Sequence, residues 1–144
     1  MNCDMGWRDR ALSAGLLVLR LGMGLAIAYH GYQKVFGGIM PQMIEGVGKM
    51  GFPAPTLFAW LAALSEFAGG ILIALGLGTR IASFFVAFTM GVAFFVAHGS
   101  DPFQVKELAF LFGIVAIGLM LTGGGCYALE SFCCRGKCKT DEAK

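Results

Sequence analysis

Four apolar stretches divide the chain, at Leu12 to Val35, Thr56 to Leu77, Ile81 to His98 and Val105 to Thr122. Each approaches the length of about 20 residues that carries a helix across a hydrocarbon core. Together they use most of the 144 residues and leave no room for a separate soluble domain. The pattern predicts an all-α fold, an integral membrane four-helix bundle with short loops. The first stretch has an alternative reading as a cleaved secretory signal, since Arg8 and Arg10 precede it and Ala26-Ile27-Ala28 has the small-x-small form of a cleavage site. Against that reading, Arg20 interrupts what should be an unbroken core, and the apolar pattern runs on to Val35.

The connections are unequal. Spans two and three are joined around Gly76-Leu77-Gly78-Thr79-Arg80, where glycine suits a helix end and Thr79 could cap the next start. The connection from Gly37 to Pro55 is long for a compact bundle. Within it Met40, Met43, Ile44, Val47 and Met50 recur at helical spacing behind Pro41. This predicts a short amphipathic helix on the outer membrane surface, with an irregular loop as the alternative. Span four is charge-free only from Leu108, so Lys106 and Glu107 belong near the outer interface. Gly123 to Gly125 end it, which predicts a four-span domain over 1–126 and a cysteine-rich basic tail over 127–144.

Composition agrees with a membrane protein: 57% of residues are hydrophobic and 14% charged, against about 45–50% and about 25% in soluble domains. Lys and Arg favour the cytoplasmic side of short loops. One side of the bundle would hold Arg8, Arg10, Arg80, Arg135, Lys137, Lys139 and Lys144, the other Lys34, Lys49 and Lys106. Both termini are therefore expected in the cytoplasm of a multi-pass plasma-membrane protein. A net charge of +2 points away from nucleic acid, and the basic tail suits anionic lipid headgroups.

Charges within spans are costly and normally face a bundle interior and a partner. Counted from the ends of the apolar runs, Arg20 lies roughly 12 Å and Glu66 roughly 16 Å above the cytoplasmic side, which predicts a structural Arg20–Glu66 ion pair. Arg20, Gly24, Ile27, His30, Gly31 and Lys34 share one arc of span one, and Ala59, Ala62, Glu66, Gly70 and Ile73 share one face of span two. Small residues on such faces let helices approach. Glu66 could instead take part in proton transfer or contact a ligand. At the outer end His30, Lys34, His98, Lys106 and Glu107 converge from three spans on one membrane depth. Histidine exchanges protons near neutral pH, and lysine can polarise a carbonyl. A quinone needs both functions, which makes His30, His98 and Glu66 candidate catalytic residues. Lys34, Lys106, Glu107, Gln33 and Tyr29 are the candidate ligand contacts. Taken singly, each also reads as an interfacial anchor.

Cys3, Cys126, Cys133, Cys134 and Cys138 all fall on the expected cytoplasmic side, where thiols stay reduced. The run Cys133-Cys134-x-x-x-Cys138 lacks the paired C-x-x-C spacing of zinc or redox motifs. With Cys126 it could supply four thiolates to a metal, although free or lipid-modified thiols are commoner.

The series Arg20, His30-Gly31-x-x-Lys34, Phe36-Gly37, then Glu66-x-x-Gly69-Gly70, Thr79-Arg80, His98-Gly99 and Lys106-Glu107 resembles the DoxX family of small four-helix bacterial and archaeal membrane proteins. That resemblance covers nearly the whole chain. It implies a redox-linked membrane component, such as the quinone-interacting subunit of a thiosulfate:quinone oxidoreductase or part of a complex handling oxidative or thiol stress, with a soluble or membrane redox partner. Many members of the family have no assigned reaction. Family members often carry Gly-Pro-Gly-Arg after the last span, where this chain has Gly123-Gly124-Gly125-Cys126, so no role of that arginine transfers. Competing readings are a non-catalytic anchor or assembly subunit docking a partner through Met40 to Met50, or a small-solute or metal carrier. Glycine faces make a homodimer plausible.

Overall fold

The computed structural model describes residues 7–131. Helix α1 spans Trp7–Phe36, α2 Met40–Lys49, α3 Pro55–Leu75, α4 Thr79–Val92 and α5 Phe103–Thr122, with one π-helical turn, Ala93–Ala97, continuing α4. The four long apolar helices, α1, α3, α4 with its π turn, and α5, are each long enough to cross a membrane. Their outward faces carry Leu25, Leu61, Phe88 and Leu111, all exposed. On helices of this length, an apolar surface of this extent suits contact with lipid.

Close approach of two backbones sets the bundle. A Cβ on Gly24 would lie 2.7 Å from the Ala74 amide nitrogen, and one on Gly70 would lie 2.6 Å from the Ala28 amide nitrogen. A Cβ on Gly31 would collide with the backbone of Glu66 and Phe67. The antiparallel register of α1 and α3 is fixed by these contacts: Gly24 faces Gly70 and Ala74, and Gly31 faces Glu66. Without a hydrophobic force between helices in lipid, close packing at small residues holds them. Met23, Ile27, Ile73, Val86, Met90 and Leu119 fill the space among the four long helices.

The α3–α4 turn uses two left-handed glycines, Gly76 at φ 74° and Gly78 at φ 54°. Gly76 ends α3 with its N–H on the carbonyls of Leu72 and Ile73, a helix stop that glycine makes without steric penalty. Thr79 does not cap α4. It is the helix's first residue, and its backbone N–H donates to Glu130 Oε2 at 3.3 Å. The distant carboxylate thus serves the helix N-terminus, where a negative charge is favoured.

Residues 123–131 fold back onto the bundle. Ala128 is fully buried, and the Glu130 N–H donates to the Gly76 carbonyl at 3.0 Å. Arg20, fully buried, donates from Nη2 to the Tyr127 carbonyl at 3.1 Å and feels the Glu130 charge. The expected Arg20–Glu66 pair is therefore not formed. Glu66 faces Gly31, about eleven residues and so about 16 Å along α1 from Arg20. The two residues stand at different depths because the helix ends are not level: α1 begins at Trp7, and Arg20 lies beside Gly76, at the very end of α3. Cys126 is a half-buried free thiol in this segment. Cys3, Cys133, Cys134 and Cys138 lie outside the described residues.

The amphipathic helix expected after Pro41 is present as α2, but its apolar side is turned inward. Met40 and Val47 pack with Ala59 and Ala63 of α3, leaving Gln42, Glu45 and Lys49 outward.

Two stability outcomes follow. Gly70→Ile should force α1 from α3 and destabilise the detergent-solubilised protein by about 1–3 kcal/mol or more, whereas Gly22→Leu, which meets nothing within 4 Å, should be close to neutral. Glu130→Gln keeps an acceptor for the Thr79 N–H but removes the charge at the start of α4, so it should lower the unfolding midpoint by the equivalent of about 0.3–1 kcal/mol. Thermal unfolding followed by circular dichroism reads both.

Candidate functional site

At the end of the bundle away from the 123–131 segment, the helices line a half-open pocket of about 170 Å³. Helix α1 contributes Ile27, His30 and Lys34, α3 contributes Glu66, α4 with its π turn contributes Met90, Ala93 and His98, and α5 contributes Val105, Leu108, Ala109 and Phe112. The walls are apolar, and the polar groups are four titratable side chains from three helices. All four, His30, Lys34, Glu66 and His98, are residues that the sequence pattern singled out.

The π turn places His98. Its N–H donates to the Ala93 carbonyl at 3.0 Å, an i to i−5 bond. The wider turn brings His98 nearly under Ala93, so both line the cavity; with α-helical spacing Ala97 would take that place. Asp101 holds the ring: its Oδ2 is 2.8 Å from His98 Nδ1. Pairing with a carboxylate makes Nδ1 the donor, so the neutral ring accepts at Nε2. His30 is exposed and makes an edge contact with Phe112, ring centroids 6.0 Å apart. This contact bridges α1 and α5, which meet only over a short length.

Glu66 and Lys34 form the charged floor. Lys34 Nζ donates to Glu66 Oε1 at 2.5 Å. The Glu66 side chain is 2% exposed and that of Lys34 30% exposed, so the carboxylate is buried while the lysine stays partly exposed. Glu66 Oε2 has no hydrogen-bond partner among the described residues. The pairing follows from the helix register. Gly31 brings α1 against Glu66, and Lys34 stands about one turn further along the same face.

The remaining candidates lie outside this group. Lys106 donates to the Gly99 carbonyl at 3.0 Å and sits 5.0 Å over the Phe94 ring, which holds its charge beside the loop. Glu107 is exposed, Tyr29 is 61% exposed, and Gln33 is half-buried without lining the cavity. Asp101 was missed by sequence reasoning, although its i, i+3 spacing from His98 was a usable signal. Among the described residues, no group of three or more His, Cys, Asp or Glu side chains could hold a metal ion.

A bundle of four apolar helices with a half-open pocket and paired charges at one end defines a small polytopic membrane protein. The DoxX family profile matches residues 15–99, and the chain belongs to that family. It is 32% identical over 130 residues to a Bacillus subtilis protein named "Putative oxidoreductase CatD", covering 90% of this chain and 94% of that one. It is also 33% identical over 122 residues to the Escherichia coli inner membrane protein YqjF, covering 81% and 89%. No solved structure matches.

The ion pair can be tested by a double-mutant cycle. Lys34→Met alone should destabilise by about 3–5 kcal/mol because it strands a buried carboxylate, while Lys34→Met with Glu66→Leu should recover most of that loss. Lys106→Met should change stability by less than about 1 kcal/mol. Chemical unfolding in mixed micelles measures all three.

Proposed function

We propose that the protein is a redox-linked membrane component that binds the headgroup of a quinone in the cavity among α1, α3, α4 and α5. The observation that carries this reading is the meeting of His30, Lys34, Glu66 and His98 in one apolar-walled space of about 170 Å³. An engineered apolar cavity of about 150 Å³ accepts benzene, so the space suits one six-membered ring. A prenyl tail would leave through the seam between α1 and α5, beside His30 and Phe112, into lipid. The name of the Bacillus subtilis relative, an oxidoreductase, favours the same class of activity.

The residues divide the work by their chemistry. Lys34 neutralises negative charge at a ring oxygen. His98, with Nδ1 held by Asp101, accepts or returns a proton at Nε2. His30, exposed on the lipid-facing seam, passes protons between the ring and the interface. Conversion between the two ring states moves two electrons and two protons, and a partner redox protein supplies or takes the electrons. Both termini lie in the cytoplasm in this reading, supported by the distribution of Lys and Arg, and the cavity then opens near the outer face.

Binding of a short-chain quinone in each oxidation state, measured on protein in lipid nanodiscs, tests the reading. His30→Ala with His98→Ala should weaken binding of at least one state about tenfold or more, the loss of roughly two hydrogen bonds. Unchanged affinity for both states in the double variant would falsify the site.

A further inference from the structure

We propose that this site prefers the reduced, hydroxyl-bearing form of its ring ligand, with Glu66 Oε2 accepting a hydrogen bond from a ring hydroxyl. The inference rests on the headgroup reading above and adds which oxidation state is held and by which atom. Glu66 is the most enclosed polar group in the cavity wall, and its two oxygens differ: Oε1 takes Lys34, and Oε2 has no partner among the described residues. An anionic carboxylate only accepts hydrogen bonds, and a buried acceptor left unmatched is strongly unfavourable.

A ligand group placed against Oε2 must therefore donate. A quinone carbonyl there would set two acceptors face to face, whereas a hydroquinone hydroxyl would complete the carboxylate. His98 adds to the same preference. With Nδ1 committed to Asp101, its neutral ring offers an acceptor at Nε2, suited to a second hydroxyl. Ile27, Met90, Leu108 and Phe112 line the rest of the cavity, and these walls select an aromatic ring over a small hydrophilic donor. Lys34 retains N–H donors beyond the one on Oε1, so it can meet the lone pairs of the same hydroxyl oxygen.

The test compares duroquinol with duroquinone, a tail-free pair differing only in ring state, on the wild-type protein in nanodiscs under anaerobic conditions. Duroquinol should bind at least about tenfold more tightly, which raises the midpoint potential of the bound two-electron couple by about 30 mV. Glu66→Gln should shrink the difference to the smaller part that His98 supplies, while Lys106→Met should preserve it in full. The Glu66→Gln protein should fold, since the partly exposed Lys34 can turn to the interface; if it does not, the wild-type comparison alone decides. Equal affinities, or tighter binding of duroquinone, would overturn the preference while leaving the headgroup site standing. A preference of undiminished size in Glu66→Gln would remove Glu66 from the account. Binding of neither compound would sink the headgroup reading itself.

Discussion

The close contact of α1 with α3 at Gly24, Gly31 and Gly70 is the constraint on which the rest depends. Because no side chain separates the two backbones there, their register cannot slide without a collision. That register puts Glu66 opposite Gly31 and therefore within reach of Lys34 about one turn away. It also carries Arg20 past the end of α3, out of reach of Glu66 and beside Gly76. A single packing decision between small residues thus selects which of two cations meets the buried acid. In lipid, where apolar side chains gain nothing by leaving the solvent for each other, van der Waals fit of this kind is a main source of helix specificity.

The two buried charges are then stabilised in different ways. Glu66 is matched by a partly exposed lysine, while its second carboxylate oxygen stays buried without a hydrogen-bond partner among the described residues. Arg20 donates from Nη2 to the Tyr127 carbonyl and lies in the field of the Glu130 carboxylate, both brought in by residues 123–131, while its Nε and Nη1 have no partner among the described residues. Glu130 also receives the first N–H of α4, so one acid serves a buried arginine and a helix terminus together. That arrangement ties the end of the described chain to the α3–α4 turn. It makes the terminal segment part of the bundle's framework, while the other end keeps its polar groups facing a cavity.

The sequence made much of this visible and hid the rest for physical reasons. Span number, the helix after Pro41 and the convergence of His30, Lys34 and His98 follow from periodicity and from the rarity of polar residues in apolar runs, and those signals are local. Arg20's partner was not legible, because it depends on interhelical register and on a backbone carbonyl, neither of which has a residue-type signal. The same holds for Thr79, whose expected capping hydroxyl is displaced by a carboxylate about fifty residues away. The π turn is hidden because Ala93–Ala97 has the composition of any apolar helix. Its effect can be recognised only once His98 is found under Ala93. Residues 127–131 read as polar tail because Glu130 and Ser131 end the hydrophobic run, although Ala128 between them and Cys126 is fully buried.

The packing also separates stability from access. Helix α1 is locked to α3 through glycine, and α4 lies along α5, but α1 and α5 touch over a short length where His30 meets Phe112. The cavity lies under that weaker seam. Widening it would move side chains of Ile27, His30 and Phe112 while leaving the glycine contacts and the Lys34–Glu66 pair in place, since those belong to the α1–α3 interface. A flat ring could therefore enter from lipid without breaking the interactions that fix the bundle. The groups that would recognise it, Lys34 with Glu66 on one pair of helices and His98 with Asp101 on the other, are each held by a contact that does not cross the seam. Opening the seam and keeping the binding groups in order are thus compatible, because they depend on different pairs of helices.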